Sequence, residues 1–545
     1  GRTFTAEEDS PDGARTALLG HVYWRDRFGA DPSVLGQTIA VNGRSYEIIG
    51  VMPEDFRFLR YEPAVYMPFR FDRATVFMGN FSFQALGRLA PGATVEQANA
   101  DVERMVPMAI EQYPGGLTLG MLEEARFGAL VRPLKTDVVG DVGSVLWVLL
   151  GTVGIVLLIA CANVANLFIV RAEGRHREIA VRTAMGAGRR QITGQLLLES
   201  VVLGVVGGTA GLLLAFGGLE LLVALGPESL PRLHEIGLNP TVLGFTVVIS
   251  IAAGLFFGAF PAFQYGRPNL TASLKEGGRG GSAGKERHLA RNGLVIAQMS
   301  MALVLLAGSG LMIRSFQALQ AVDPGFDDPE SLLTFRVTIP TAEVDEPAQV
   351  ALTHQEIGRR VAEIPGVSAA AISSSITMDG WDNNDAVNVE EFPIEGDQLP
   401  PIRRFKYVGD GYHAVMGNEI VAGRAITAAE IEDRAAVVMV SSDFVSDYWA
   451  SPSDAVGKRI AQFAGDMGQS QWMEIVGVVG PIHDDGTSQA SVATIFWPQV
   501  TEDWFGDETF TPRSMAYAVR VEAGDPNALL PHIREAVWAV NPNLP

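Results

Sequence analysis

The chain has 545 residues and a formal net charge of -21, with 41 Lys and Arg against 62 Asp and Glu, yet 48% of it is hydrophobic. An acid excess on so apolar a chain does not describe one soluble domain; it describes a membrane protein whose acidic parts lie outside the bilayer, and it excludes the basic face that nucleic-acid binding needs. The only cysteine, Cys161, sits in an apolar run, so no intrachain disulfide can staple the polar parts.

Residues 1–140 are polar with short apolar alternations. Gln37–Val41 and Arg44–Val51 flank Asn42-Gly43, the strongest two-residue hairpin signal. Phe83–Leu89 predicts another strand, Pro91-Gly92 a turn, and Thr94–Met105 a helix capped by Thr94 with Gln97 three residues on. The pattern is that of an α+β domain.

Four runs then reach the roughly 20 apolar residues that a bilayer span needs: 145–170, 200–222, 241–263 and 293–313. The first three make a membrane domain over 141–265, and the fourth opens a second half. Gly204 with Gly208, Gly207 with Gly211, and Gly254 with Gly258 are spaced four apart, which would let helix backbones approach closely; the bland alternative is that glycine is common in membrane helices. Asn163 and Asn166 lie about one turn apart in the first span. An amide facing lipid is costly, so both should point at another helix, as packing contacts rather than a substrate site.

Between the first two spans lies Arg171–Ser200, RAEGRHREIAVRTAMGAGRRQITGQLLLES, with Arg171, Arg175, Arg177, Arg182, Arg189 and Arg190. Glu178 and Arg182 are in the favourable order for an i,i+4 pair, Ile179, Val181 and Met185 give a modest apolar side, and Gly186 and Gly188 break the helix before a second one starts near Arg189. Taken alone, this is a basic juxtamembrane loop of the kind the positive-inside rule predicts. The loop after the second span carries only Arg232, whereas residues 266–292 carry Arg267, Lys275, Arg279, Lys285, Arg287 and Arg291. The first and third loops are therefore cytoplasmic, and the second loop and both polar regions external. GGRGGSAGKERH in the third loop fails as a phosphate-binding loop, because the position of the first glycine is Arg279 and Glu286 follows Lys285. Residues 266–292 are expected to be a flexible Gly/Ser and basic linker.

Residues 321–545 form a second polar domain that repeats the first. Gly1–Ala6 parallels Gly423–Ala428, Gly36–Ile39 parallels Gly457–Ile460, and Glu47–Val51 parallels Glu474–Val478, in order and at similar spacing. The prediction is a duplication of external and membrane parts, with the same strand order in both copies. His483-Asp484-Asp485 and the acidic run Asp379–Asp385 lack metal-ligand spacing, and no nucleophile motif is present. No catalytic, metal or cofactor site is predicted.

REIAVRTAMGAGRRQITGQLLLES resembles the signature of MacB/FtsX-type ABC permeases, and CANVANLFIVRA resembles a segment of the duplicated permeases common in acidobacteria. The resemblance covers nearly the whole chain. It implies FtsX-like membrane helices joined to α+β external domains of the MacB periplasmic-core type, in a bacterial inner membrane. It implies a permease that binds no ATP itself and couples hydrolysis on a separate ATPase subunit to movement of the external domains, for export or efflux. The coupling surface it implies is Arg177, Glu178, Arg182, Gly186, Arg189 and Arg190. Further partners it implies are a periplasmic adaptor or envelope protein, and a homodimer or a pseudo-dimer through the duplication. The competing expectation is an FtsX-like scaffold that regulates an envelope enzyme without transport. The repeat also predicts a longer gene, with a span and external residues before Gly1, three further spans after Pro545, and eight in all.

Overall fold

The computed structural model describes residues 1–545 except 57, 60, 62, 80, 114, 141, 176–177, 179–180, 183–184, 186, 226–236, 238, 266–282, 395–397, 464–469, 503–508 and 545. They form two units, one of 1–133 with 317–545 and one of 134–316.

In the first unit, β1 (Thr16–Leu19), β2 (Thr38–Val41), β3 (Arg44–Val51) and β4 (Val65–Tyr66) make a sheet in the order β2-β3-β1-β4. Asn42 and Gly43 both take positive φ, 50° and 71°, as the two-residue turn requires, and β2 and β3 pair with Val41 opposite Arg44. β3 lies parallel to β1, so Leu19 and Ile48 come together with Val34 in a small core.

The second part holds β5 (Leu332–Thr338), β6 (Val367–Ser373), β7 (Asn384–Val389), β8 (Ile402–Val408), β9 (Ile420–Gly423), β10 (Val437–Ser441), β11 (Arg459–Gln462), β12 (Met473–Val479), β13 (Thr494–Pro498), the short pair β14 (Thr501–Glu502) and β15 (Thr509–Phe510), and β16 (Ser514–Val521). The large sheet runs β13-β10-β12-β11-β7-β8-β6-β16-β5, and β13 also pairs with β8, closing six strands into a ring. Helices Pro347–Ala362 and Leu530–Val540 supply Val350, Ile357, Ile533 and Val537 to a core under β5, β6 and β16.

The repeat read from sequence has one strand order. β11-β12-β10-β13 matches β2-β3-β1-β4, including the parallel central pair and a register shift at the same place, between Ala17 and Leu18 and between Val438 and Met439. The details match as well. Gly36 and Gly457 share φ values of 83° and 84°. The Arg2–Glu8 ion pair at 2.7 Å matches Arg424–Glu430 at 2.6 Å. Arg2 N donates to Ile49 O at 3.0 Å, as Arg424 N does to Val476 O at 2.9 Å.

Three expectations need correction. Phe83–Leu89 is not a strand: residues 81–90 are exposed and outside any sheet. The segment aligns in pattern with β16, which is buried because β5 and β6 pair along both its edges, and the described residues of 1–133 hold no counterpart of those two strands. The helix predicted over Thr94–Met105 runs on to Gln112, with the capping box formed and Pro107 accommodated inside it. The linker expected over 266–292 ends early. Residues 266–282 lie outside the described residues, but a helix starts at Ala283 and carries Lys285, Arg287 and Arg291, because the run from Ala283 to Arg291 is rich in good helix formers.

The second unit is helical. Four helices, Val142–Gly174, Arg189–Leu225, Pro240–Tyr265 and Ala283–Gln320, contain stretches long and apolar enough to cross a membrane, over 145–171, 190–224, 240–259 and 292–320. Five hydroxyls, those of Thr152, Ser200, Thr209, Thr246 and Ser250, are satisfied within their own helices, each donating to the carbonyl four residues back, as suits groups in an apolar medium.

Candidate functional site

The loop between the first two long helices is folded back onto the second. Arg175 directly follows the first helix, which ends at Gly174, and its guanidinium reaches two carboxylates. Nε and Nη2 donate to Glu178 at 3.0 and 3.4 Å, and Nη1 donates to both oxygens of Glu199 at 3.1 and 3.3 Å. Glu178 also accepts from Arg182 Nη2 at 2.6 Å, and Arg182 Nη1 donates to Gln195 Oε1 at 2.7 Å. Gln195 and Glu199 are four apart on the second helix, so both lie on the face turned to the loop. Beneath this ladder, Ile192 and Leu196 are buried, and Phe168 of the first helix lines the same cleft. The hydrogen bonds to Glu178 and then Glu199 push the Arg175 guanidinium further up, and Arg175 holds the Glu178 carboxyl below the usual carboxylate range.

Of the residues singled out as a coupling surface, Glu178 and Arg182 are thus engaged inside the molecule. Arg190 is exposed at the start of the second helix. Arg189 lies on the same helix, its side chain outside the description, and Arg177 and Gly186 lie outside the described residues. Val181 and Met185 are strongly exposed, at 56% and 76%. Arg175, Gln195 and Glu199 were missed as site residues. The three-residue spacing of Arg175 and Glu178 was available as a signal, but no local pattern pairs Arg175 with Glu199, 24 positions away.

The packing residues fall in different places. Asn163 Oδ1 accepts from Gln298 on the fourth long helix at 3.2 Å. Asn166 Oδ1 is buried with no hydrogen-bond partner among the described residues. A Cβ built on Gly204 would lie 2.7 Å from Ser250 O and 3.2 Å from Gly254 Cα; on Gly254 it would lie 2.9 Å from Val201 Cα. On Gly208 it would meet Ser250, and on Gly258 it would meet Ser200. These four glycines line one seam between the second and third helices, while Gly207 and Gly211 have no atom of the described residues within 4 Å of that position.

In the external unit, His483 Nδ1 pairs with Gln489 O, Asp484 takes the buried Lys406 at 2.6 Å, and Asp485 takes Arg404 at 2.8 Å. Asp379 is bound by Arg336 at 2.8 Å. The carboxylates Asp379, Asp484 and Asp485 thus pair with cations of the protein itself.

Residues 150–270 match the family of FtsX-like permease C-terminal domains, and residues 1–105 and 293–535 match the MacB-like periplasmic core domain. The chain is 29% identical over 263 residues to the uncharacterised ABC transporter permease YknZ of Bacillus subtilis, covering 48% of this chain and 62% of YknZ. It is 28% identical over 283 residues to the macrolide export ATP-binding/permease protein MacB of Nitrosomonas europaea, covering 50% of this chain and 39% of that protein. The match therefore spans less than two thirds of either relative. The periplasmic region of MacB from Actinobacillus actinomycetemcomitans aligns with 41% of this chain and 89% of its own length at 11% identity, with a TM-score of 0.25, too loose to carry an argument. The two family matches together account for most of the chain, and it belongs to the FtsX/MacB-type ABC transporter permeases, membrane proteins with external domains.

Proposed function

We propose that this permease works by mechanotransmission: a separate ATPase subunit docks on the cytoplasmic loop 171–200, and its hydrolysis cycle moves the external domains, serving export or efflux. The observation that carries this reading is the ion-paired ladder that fixes the loop to the second long helix, since a docking loop can move a span only if it is attached to it. The arginines of the first and third loops support a cytoplasmic position for both, and hence a multi-pass protein of the inner membrane. YknZ is named as a permease alone, which agrees with ATP hydrolysis on another chain.

The test reverses charges outside the ladder. Arg177→Glu, Arg189→Glu and Arg190→Glu together should leave the protein inserted but abolish copurification of the ATPase and stimulation of its hydrolysis in reconstituted membranes, because several like charges across an interface repel. Arg267→Glu, Lys275→Glu and Arg279→Glu in the third loop should have little effect. Equal losses from both triple variants, or none from the first, would leave only a topology signal. Copurification of an envelope hydrolase in place of export components would favour a regulatory scaffold.

A further inference from the structure

One guanidinium, that of Arg175, reaches both the loop at Glu178 and the second long helix at Glu199. We propose that Arg175 is the positioning residue that makes the loop and the start of the second long helix one rigid piece, so that displacement of the loop becomes displacement of the span; this rests on the docking reading above.

The geometry is a fork on each side. Two donors of Arg175 face the two oxygens of Glu178, and a third bridges both oxygens of Glu199. Arg182 extends the contact by a turn, from Glu178 to Gln195. The first contact ties Arg175 to the loop at Glu178, the second ties it to the second helix at Glu199, and the third ties the loop to the second helix at Gln195, so the ladder links the described residues on both sides of the loop. Remove Arg175 and the link through Arg182 to Gln195 remains, while the tie that joins the residue after the first helix to Glu178 and Glu199 is lost. The planar five-donor fork is what allows two carboxylates to be held at once; a lysine ammonium offers a point charge without that geometry. The pairs are partly exposed, with Arg175 33% and Glu199 35% accessible, so their contribution is orientation more than stability.

The experiment separates transmission from docking. Nitroxide labels on cysteines replacing the exposed Val181 and Leu198, in a Cys161→Ser background, report whether the loop stays on the helix. ATPase copurification reports docking, and ATP-dependent change in protease protection of the external domains reports transmission. Arg175→Leu and Glu199→Leu should each broaden the label-to-label distance distribution, leave copurification at the wild-type level and reduce the external response at least fivefold. Arg175→Lys should lose less, and the exchange Arg175→Glu with Glu199→Arg should recover part of the response. Arg175→Leu with a wild-type external response, or with an unbroadened distribution, would overturn the proposal. So would loss of copurification, which would make Arg175 part of the docking surface. Failure of the docking reading itself shows elsewhere, as an intact complex in the Arg177/Arg189/Arg190 variant.

Discussion

Replacing Gly204 or Gly254 by alanine puts one methyl into a seam where backbone meets backbone. At Gly204 the new Cβ would sit 2.7 Å from Ser250 O, and at Gly254 2.9 Å from Val201 Cα and 3.0 Å from Ser200 O. Ordinary contact starts near 3.4 Å, so the second and third long helices must separate by about 0.5 Å or more, and no rotamer change relieves a clash with backbone. Overpacking of this kind costs about 1–3 kcal/mol. Spread over a helical unit of 183 residues, 134–316, this lowers the melting temperature by on the order of 2–4 °C per kcal/mol. Gly208→Ala should also destabilise, because turning the Ser250 hydroxyl away still leaves Ser250 Cβ 2.9 Å from the new methyl. Gly207→Ala and Gly211→Ala, with open space at the same position, should be neutral or slightly stabilising through helix propensity. The assay is thermal unfolding of the detergent-solubilised protein followed by size-exclusion chromatography. Equal destabilisation at 204 and 207, or at 254 and 211, would refute the seam.

Three further outcomes follow from the external unit. Asp484→Asn leaves the fully buried Lys406 without its counter-ion and should destabilise the second external domain by about 3–5 kcal/mol in denaturant unfolding, while replacing both by apolar residues of similar size should cost less. Burial pushes His354 and His413 down to about 4, so between roughly pH 6.5 and pH 4 the unfolded chain binds protons that the folded one does not; stability is therefore full above pH 6.5 and falls with pH through that window, by at most about 3 kcal/mol per histidine, and His354→Gln should flatten the profile measured by pulse proteolysis. Amides of residues 81–90 should exchange with solvent within the earliest time points of hydrogen exchange, whereas those of β16, paired on both edges, should rank among the slowest; equal protection would contradict the pairing.

Local chemistry made much of the fold legible. Asn42-Gly43 demanded a turn with two positive φ values, Thr94 and Gln97 marked a helix start, and four long apolar runs separated membrane from external parts without any tertiary information. Phe83–Leu89 failed for the opposite reason. Its alternation is genuine strand chemistry, shared with β16, but a strand exists only where an edge is offered to it, and that edge is a property of distant residues. The glycine pairs show the same limit. Gly204–Gly208 and Gly207–Gly211 have identical spacing on one helix, yet only the first faces a neighbour, because spacing fixes a stripe and not the direction in which the stripe looks.

The loop carries this argument to function. Its charges suggested a surface offered to a partner, and charge was the only property a linear reading could weigh. In three dimensions Glu178 and Arg182 face Arg175 and Gln195, so two residues prominent in the motif hold the loop in place, and the described groups that stay exposed include Arg190 and the apolar Val181 and Met185. On the proposed docking reading, the motif divides its residues between binding and transmission. Exposed ion pairs are weak individually, but a ladder of three across one joint constrains direction, and direction is what a lever needs. A double-mutant cycle on Arg175 and Glu199, read as the external response to ATP, should show strong non-additivity, whereas a cycle on Arg175 and Arg190 should be additive, since one pair shares the ladder and the other does not. Additivity in both would mean that the loop moves the span through its backbone alone.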